Sequence, residues 1–119
     1  MKNLFKFITL TFFLIFFTNN KIFSATPSFR YVSVHDPSVI NTNNTYYIFG
    51  SHLAAARTAN LMQWTLIDSG VKDGSVIIPN VFTELAEVFS WAETDTLWAP
   101  HVVQLKSDNR YYMYYCACR

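Results

Sequence analysis

The stretch YVSVHDPSVINTNNTYYIFGS, from Tyr31 to Ser51, contains the pattern that decides the fold. A short run with β-branched residues, SVI, leads into the polar segment NTNN, and the strand-like segment TYYIFG follows. Two such runs around an Asn-rich turn predict a β-hairpin. Asp36 lies just before this hairpin, where Pro37 favours an extended start to the first strand.

The same pattern returns near the other end of the chain. The second copy, APHVVQLKSDNRYYMYYCA, runs from Ala99 to Ala117, and its tyrosine pair begins at Tyr111, 65 positions after Tyr46. Between the copies, HLAAARTAN and QWTLIDSG predict two more strands. Apolar residues at helical spacing from Phe82 to Trp91 predict one short helix, with Asn80 as its cap.

This repeated unit of four strands is typical of a β-propeller, whose blades are small antiparallel sheets. The chain has room for roughly one and a half such units, whereas a propeller closes with at least four blades. We therefore expect an all-β fold in which residues 26–119 form the N-terminal part of a propeller domain and carry its first one and a half blades. The alternative is that two unrelated hairpins merely look alike.

Residues 1–25 have the composition of a secretory signal peptide. Lys2 and Lys6 precede an apolar run from Phe7 to Phe17, and small residues follow at Ser24 and Ala25. A membrane anchor is the alternative, but the run is about half of the roughly 20 residues that a spanning helix needs. We expect secretion to the extracellular space or the periplasm, with no stable membrane insertion after cleavage.

The net charge of the 119-residue chain is only +1, which gives no electrostatic reason to expect a nucleic-acid partner. Cys116 and Cys118 have no second cysteine pair with which to form a zinc site. The sequence therefore predicts no metal ligand and no cofactor in this segment.

The starts of the innermost strands converge on the central channel of a propeller. We therefore expect His35 and Asp36, from the first copy, to meet Trp98 and His101, from the second. An aromatic ring beside acid and imidazole groups suits a sugar, because the ring packs on its C–H face and the polar groups bond its hydroxyls. The alternative is that Asp36 only caps local backbone amides in a turn.

The segments VHDPSVI, YYIFGS, ANLMQWTLIDSG and LWAPHVVQL, in this order, resemble the N-terminal portion of glycoside hydrolase family 43. The arabinan-degrading endo-1,5-α-L-arabinanases and the related arabinosidases and xylosidases are the nearest members. The resemblance implies a five-bladed β-propeller and inverting hydrolysis of O-glycosyl bonds in arabinan or in other arabinose- or xylose-containing plant polysaccharides. It also implies a polysaccharide or oligosaccharide as the partner.

The resemblance implies that Asp36 is the general base and that His35, Trp98 and His101 bind the substrate. Inversion requires a carboxylate and a carboxylic acid about 6.5–9.5 Å apart on opposite faces of the sugar. The second Asp and the acidic Glu of the family lie in later blades, so we expect the 119-residue chain alone to be inactive. Some members hold a channel calcium through a histidine of a later blade.

Two other functions share this scaffold. One is a carbohydrate-binding propeller without catalysis, although binding alone does not require an acid at position 36. The other is a related five-bladed hydrolase that acts on fructans, whose nucleophile lies in an Asn-Asp-Pro context. His35 occupies the Asn position here, which speaks against that reading.

Overall fold

The computed structural model describes residues 26–118, which form two antiparallel β-sheets. The prediction of a signal peptide over residues 1–25 lies outside the described residues. The first sheet has four strands in chain order, and the second has two. The strands are β1 (Ser38–Thr42), β2 (Thr45–Phe49), β3 (Ala54–Thr58), β4 (Thr65–Ser69), β5 (Trp98–Leu105) and β6 (Arg110–Cys116). A four-stranded meander followed by one hairpin is the one and a half blades that the sequence predicts.

Both predicted hairpins are confirmed. Strands β1 and β2 pair from Ser38 opposite Phe49 to Thr42 opposite Thr45, which leaves a two-residue turn. The two turn residues, Asn43 and Asn44, have φ of 49° and 58°. Asparagine tolerates this left-handed conformation better than most residues, which is why the Asn-rich segment forms the turn.

The two sheets are joined by residues 70–97, the inter-blade segment, which contributes to the centre of the core. Leu53, Val81 and Leu97 are almost fully buried and pack against one another, with Met113 and Tyr115 of β6 against them. Leu53 follows β2, Val81 belongs to the inter-blade segment, and Leu97 directly precedes β5. This cluster fixes the second blade relative to the first.

The inter-blade segment differs from the prediction in one respect. It contains two short helices, α1 (Val81–Glu84) and α2 (Ala86–Ala92), which are separated at Leu85. Asn80 is at the N-cap position of α1, but its side chain makes no capping hydrogen bond, so the prediction of an Asn80 cap is wrong in that detail. Its φ of −118° and ψ of 52° lie outside the usual cap conformation, and its backbone carbonyl accepts the Thr83 and Glu84 N–H groups instead.

A buried carboxylate holds the start of the inter-blade segment. Asp68, on β4, accepts hydrogen bonds from the Ser75 hydroxyl at 2.6 Å, the Val76 N–H at 2.7 Å and the Ser69 N–H at 2.8 Å. Burial raises the pKa of this carboxyl, but the hydrogen bonds and the nearby Lys72 ammonium outweigh it, so the pKa lies below its usual value of 3.8. Asp68 thereby ties the loop after β4 to the edge of the first sheet.

The first strands of the two blades lie side by side. The Val102 N–H of β5 donates to the buried Ser38 hydroxyl of β1 at 3.0 Å. The residues that precede β1 and β5 are therefore brought to the same end of the molecule. No helix within residues 26–118 is long and apolar enough to cross a membrane.

Candidate active site

Asp36 lies two residues before β1, with one carboxylate oxygen held and the other unbonded. Its Oδ2 accepts a hydrogen bond from the Ser51 hydroxyl at 2.9 Å and lies 2.8 Å from Nδ1 of His35. No residue of the described range donates to Oδ1. The Asp36 side chain is 43% exposed, so water and ligands reach this group. Its φ of 48° is in the left-handed region, so the extended conformation that Pro37 favours at this position is not adopted, and the segment turns away from a regular strand.

The turn after β2 packs against the backbone of the His35–Asp36 segment and holds it in place. The Ser51 N–H donates to the carbonyl of His35 at 2.9 Å. Gly50 is buried against the same carbonyl and against the side chain of Val34, so close that an added Cβ would overlap both. A glycine is therefore required here for close approach of two backbone segments, whereas its extended backbone conformation would suit any residue.

Trp98 is held in one orientation at the start of β5. Its indole Nε1 lies 3.2 Å from two acceptors, the Thr96 hydroxyl and the Cys118 carbonyl. The ring of His52 packs edge-to-face on it, with ring centroids 4.5 Å apart. The backbone of His52 is held in place, because its amide N–H donates to the carbonyl of Leu97 at 2.6 Å. The tryptophan is only partly buried, so part of its side chain remains available to a ligand.

The structure brings three of the four sequence-predicted site residues into one connected network. Ser51 bonds both Asp36 and the N–H of Ala99, the residue after Trp98. His101 lies three residues beyond Trp98 on β5, after an irregularity in the β5–β6 pairing, and its side chain is exposed. Within residues 26–118 no hydrogen bond or ring contact joins His101 to the other three.

Sequence reasoning missed Ser51 and His52, which join the two halves of this site. A signal for them was present in YYIFGSH, because a glycine that interrupts a strand pattern often marks a close approach of two backbones. The second copy of the repeat has no glycine at the equivalent place, where it reads YYMYYCA. The difference indicates that the first copy carries a specialised turn.

The described residues do not provide a metal site. No three His, Cys, Asp or Glu side chains within residues 26–118 are grouped so as to hold a metal ion. Cys116 and Cys118 have free, exposed thiols, with their sulfur atoms 3.4 Å apart.

An open groove lies apart from these residues. It has a volume of about 530 Å³ and lies between residues 30–33 and strands β3 and β4, with Trp64 in its wall. None of the four sequence-predicted residues lines it.

Known proteins resemble the chain along nearly all of its length, although no protein-family model matches it. It is 54% identical over 100 residues to extracellular endo-α-(1→5)-L-arabinanase 2 of Bacillus subtilis, and the aligned region covers 84% of this chain and 21% of that protein. It is 48% identical over 118 residues to the extracellular endo-α-(1→5)-L-arabinanase of Thermotoga petrophila, and the aligned region covers 98% of this chain and 24% of that protein. The chain thus spans between a fifth and a quarter of the length of these curated relatives.

Solved structures give the same result. A glycoside hydrolase family 43 protein from Bacillus licheniformis superposes with a TM-score of 0.75 at 60% identity, covering 78% of this chain and 21% of that one. The endo-1,5-α-L-arabinanase of Thermotoga petrophila superposes with a TM-score of 0.74 at 50% identity, covering 79% and 21%. The predicted all-β architecture, about one and a half blades of a five-bladed β-propeller, is confirmed. The chain therefore belongs to glycoside hydrolase family 43, and both of its curated relatives are named arabinanases.

Proposed function

We propose that this chain is the segment of an extracellular arabinan hydrolase that carries the general base, and that Asp36 is that base. The enzyme would cleave α-1,5-linked arabinan with inversion at the anomeric carbon. The observation that carries the proposal is the state of the Asp36 carboxylate, whose Oδ2 is anchored while Oδ1 is unbonded among the described residues. A base needs both properties, since it must be fixed in place and must have an oxygen available for the proton of water.

The neighbouring groups have matching roles in this proposal. Trp98 offers a ring with a fixed orientation, on which a furanose can pack. His35 lies against the base and is exposed, so it can hold the carboxylate or bond a sugar hydroxyl. His101 is exposed on the same strand as Trp98 and would bind sugar further along the site. The general acid belongs to the part of the relatives that this chain does not span.

A chimera tests the role of Asp36. Residues 26–118 replace the matching segment of the Thermotoga petrophila relative, and we call this protein the arabinanase chimera. We expect it to hydrolyse linear arabinan, and we expect Asp36→Asn to lower kcat about 10²–10⁴-fold while KM changes little, because the variant keeps the shape but loses the proton acceptor. The matched control is Asp73→Asn, the same change at an exposed loop carboxylate. An inactive chimera, or an Asp36→Asn kcat equal to that of the control, would contradict the proposal.

The stereochemistry and the substrate give two independent tests. Inversion at an α-linkage must give the β-anomer first, which proton NMR of the earliest products resolves. The α-anomer as first product would contradict the inverting mechanism. The complete gene product, assayed on linear arabinan, xylan and levan, should act on arabinan. Preference for levan would favour the fructan-acting alternative, and binding without cleavage would favour the carbohydrate-binding one.

We also propose that residues 1–25 are a signal peptide and that residues 26–119 are the start of the catalytic propeller domain. The lysine-flanked apolar run supports export, as does the word extracellular in the names of both curated relatives. N-terminal sequencing of the secreted product should begin within a few residues of Ala25. A membrane-bound product that keeps Met1 would contradict export.

A further inference from the structure

Ser51 is a polar residue in a buried position, at the junction of the two blades. Its side chain is almost fully removed from solvent, and its Oγ bonds to both blades. It accepts the Ala99 N–H of the second blade at 2.9 Å and donates to Oδ2 of Asp36 at 2.9 Å. A serine hydroxyl carries one hydrogen, so accepting from Ala99 leaves that hydrogen for the carboxylate.

The residues at both ends of this bridge have unfavourable backbone conformations. Asp36 has φ of 48° and Ala99 has φ of 41°, both in the left-handed region. Such conformations persist in non-glycine residues only when surrounding contacts hold them, and they concentrate at functional sites. Ser51 contacts both residues directly and also bonds the carbonyl of His35 through its own N–H.

We propose that Ser51 is a positioning residue for the base. It fixes the Asp36 carboxylate of the first blade relative to the segment Trp98–Ala99 of the second, so it sets the distance between the base and the ring on which the sugar packs. The inference rests on the proposed function, because it takes Asp36 to be the base. A displacement of about 1 Å between reacting groups can cost on the order of 100-fold in rate, so such a bridge has a measurable effect.

The chain offers a closely matched control at Ser38. This residue is also buried, and its hydroxyl also accepts a backbone N–H of β5, that of Val102 at 3.0 Å. Ser38→Ala therefore removes one bond between the same two blades without touching the Asp36 carboxylate. In the arabinanase chimera we expect Ser51→Ala to lower kcat about 10- to 100-fold with KM nearly unchanged. We expect Ser38→Ala to keep kcat within about twofold, with a comparable fall in melting temperature.

A double-mutant cycle separates positioning from general destabilisation. If Ser51 acts through Asp36, Ser51→Ala should lower the residual kcat by less than about twofold in an Asp36→Asn background. Ser51→Cys nearly keeps the size of the side chain but is a weak donor, so it should lose kcat with little loss of melting temperature even if the alanine variant folds poorly.

Three results would each overturn the inference, and a fourth would overturn the proposed function. Equal loss of kcat from Ser51→Ala in both backgrounds would overturn the inference, because the serine would then act independently of the base. A Ser51→Ala kcat equal to that of Ser38→Ala, or full kcat in Ser51→Cys, would overturn it as well. By contrast, normal kcat in Asp36→Asn alone would overturn the proposed function itself.

Discussion

Gly50→Ala should disturb the candidate base without removing any functional group. An alanine Cβ at this position would lie closer than 3.0 Å to the carbonyl oxygen of His35 and to the side chain of Val34. Real Cβ atoms essentially never show such distances, and one of the two neighbours is backbone, which cannot rotate away. The segment carrying His35 and Asp36 must therefore move by on the order of 1 Å to relieve the overlap.

The overlap at Gly50→Ala should lower both the free energy of unfolding and kcat. Overpacking of this kind costs about 1–3 kcal/mol of the free energy of unfolding. A shift of about 1 Å at the base should also lower kcat by on the order of 100-fold. Backbone strain adds nothing, because Gly50 has φ of −135° and ψ of −178°, an extended conformation open to any residue. Thermal melts and arabinan hydrolysis by the arabinanase chimera measure the two effects separately.

Gly70→Ala is the control for this change. An added Cβ at Gly70 meets nothing within 4 Å. We expect a stability change within about 1 kcal/mol of zero, with either sign, and an unchanged kcat. The reasoning would be refuted if Gly50→Ala behaved like Gly70→Ala, since the turn after β2 would then have room to spare and would not hold the His35–Asp36 segment in place.

Three further predictions concern other parts of the molecule. Asp68→Asn should destabilise the chimera by about 1–3 kcal/mol at neutral pH. The folded-state pKa of Asp68 lies below 3.8, so its contribution to the free energy of unfolding is present above that pH and is lost as the pH falls through the lowered value. The difference in melting temperature between Asp68→Asn and wild type should therefore shrink in acid. Trp98→Ala should raise KM for arabinan up to about tenfold, with Trp98→Phe much closer to wild type; equal KM values would exclude stacking. Residues 26–118 expressed alone should aggregate or bind a hydrophobic dye, since Tyr111 and Tyr114 are exposed on a two-stranded sheet; a soluble monomer with a sharp melt would contradict this.

The sequence by itself was sufficient where the determining interactions are local. The hairpin β1–β2 follows from Asn43 and Asn44, which accept the left-handed turn between two β-prone runs. The repeat of that pattern placed Asp36 and Trp98 beside the proline-led starts of two strands, and the structure confirms those strands. Both features depend on a few neighbouring residues, so a short stretch of sequence is enough to predict them.

Other features were decided by the tertiary structure alone. The role of Ser51 depends on Ala99, 48 positions away, and on the small volume of Gly50, which lets two backbones meet. The helix expected over Phe82–Trp91 is broken at Leu85, and of its residues Leu85 and Phe89 pack against the buried core. A hydroxyl, a small residue or a helical period has the same local appearance wherever it occurs. Its function is set by distant segments that the packing of the blades brings within hydrogen-bonding distance.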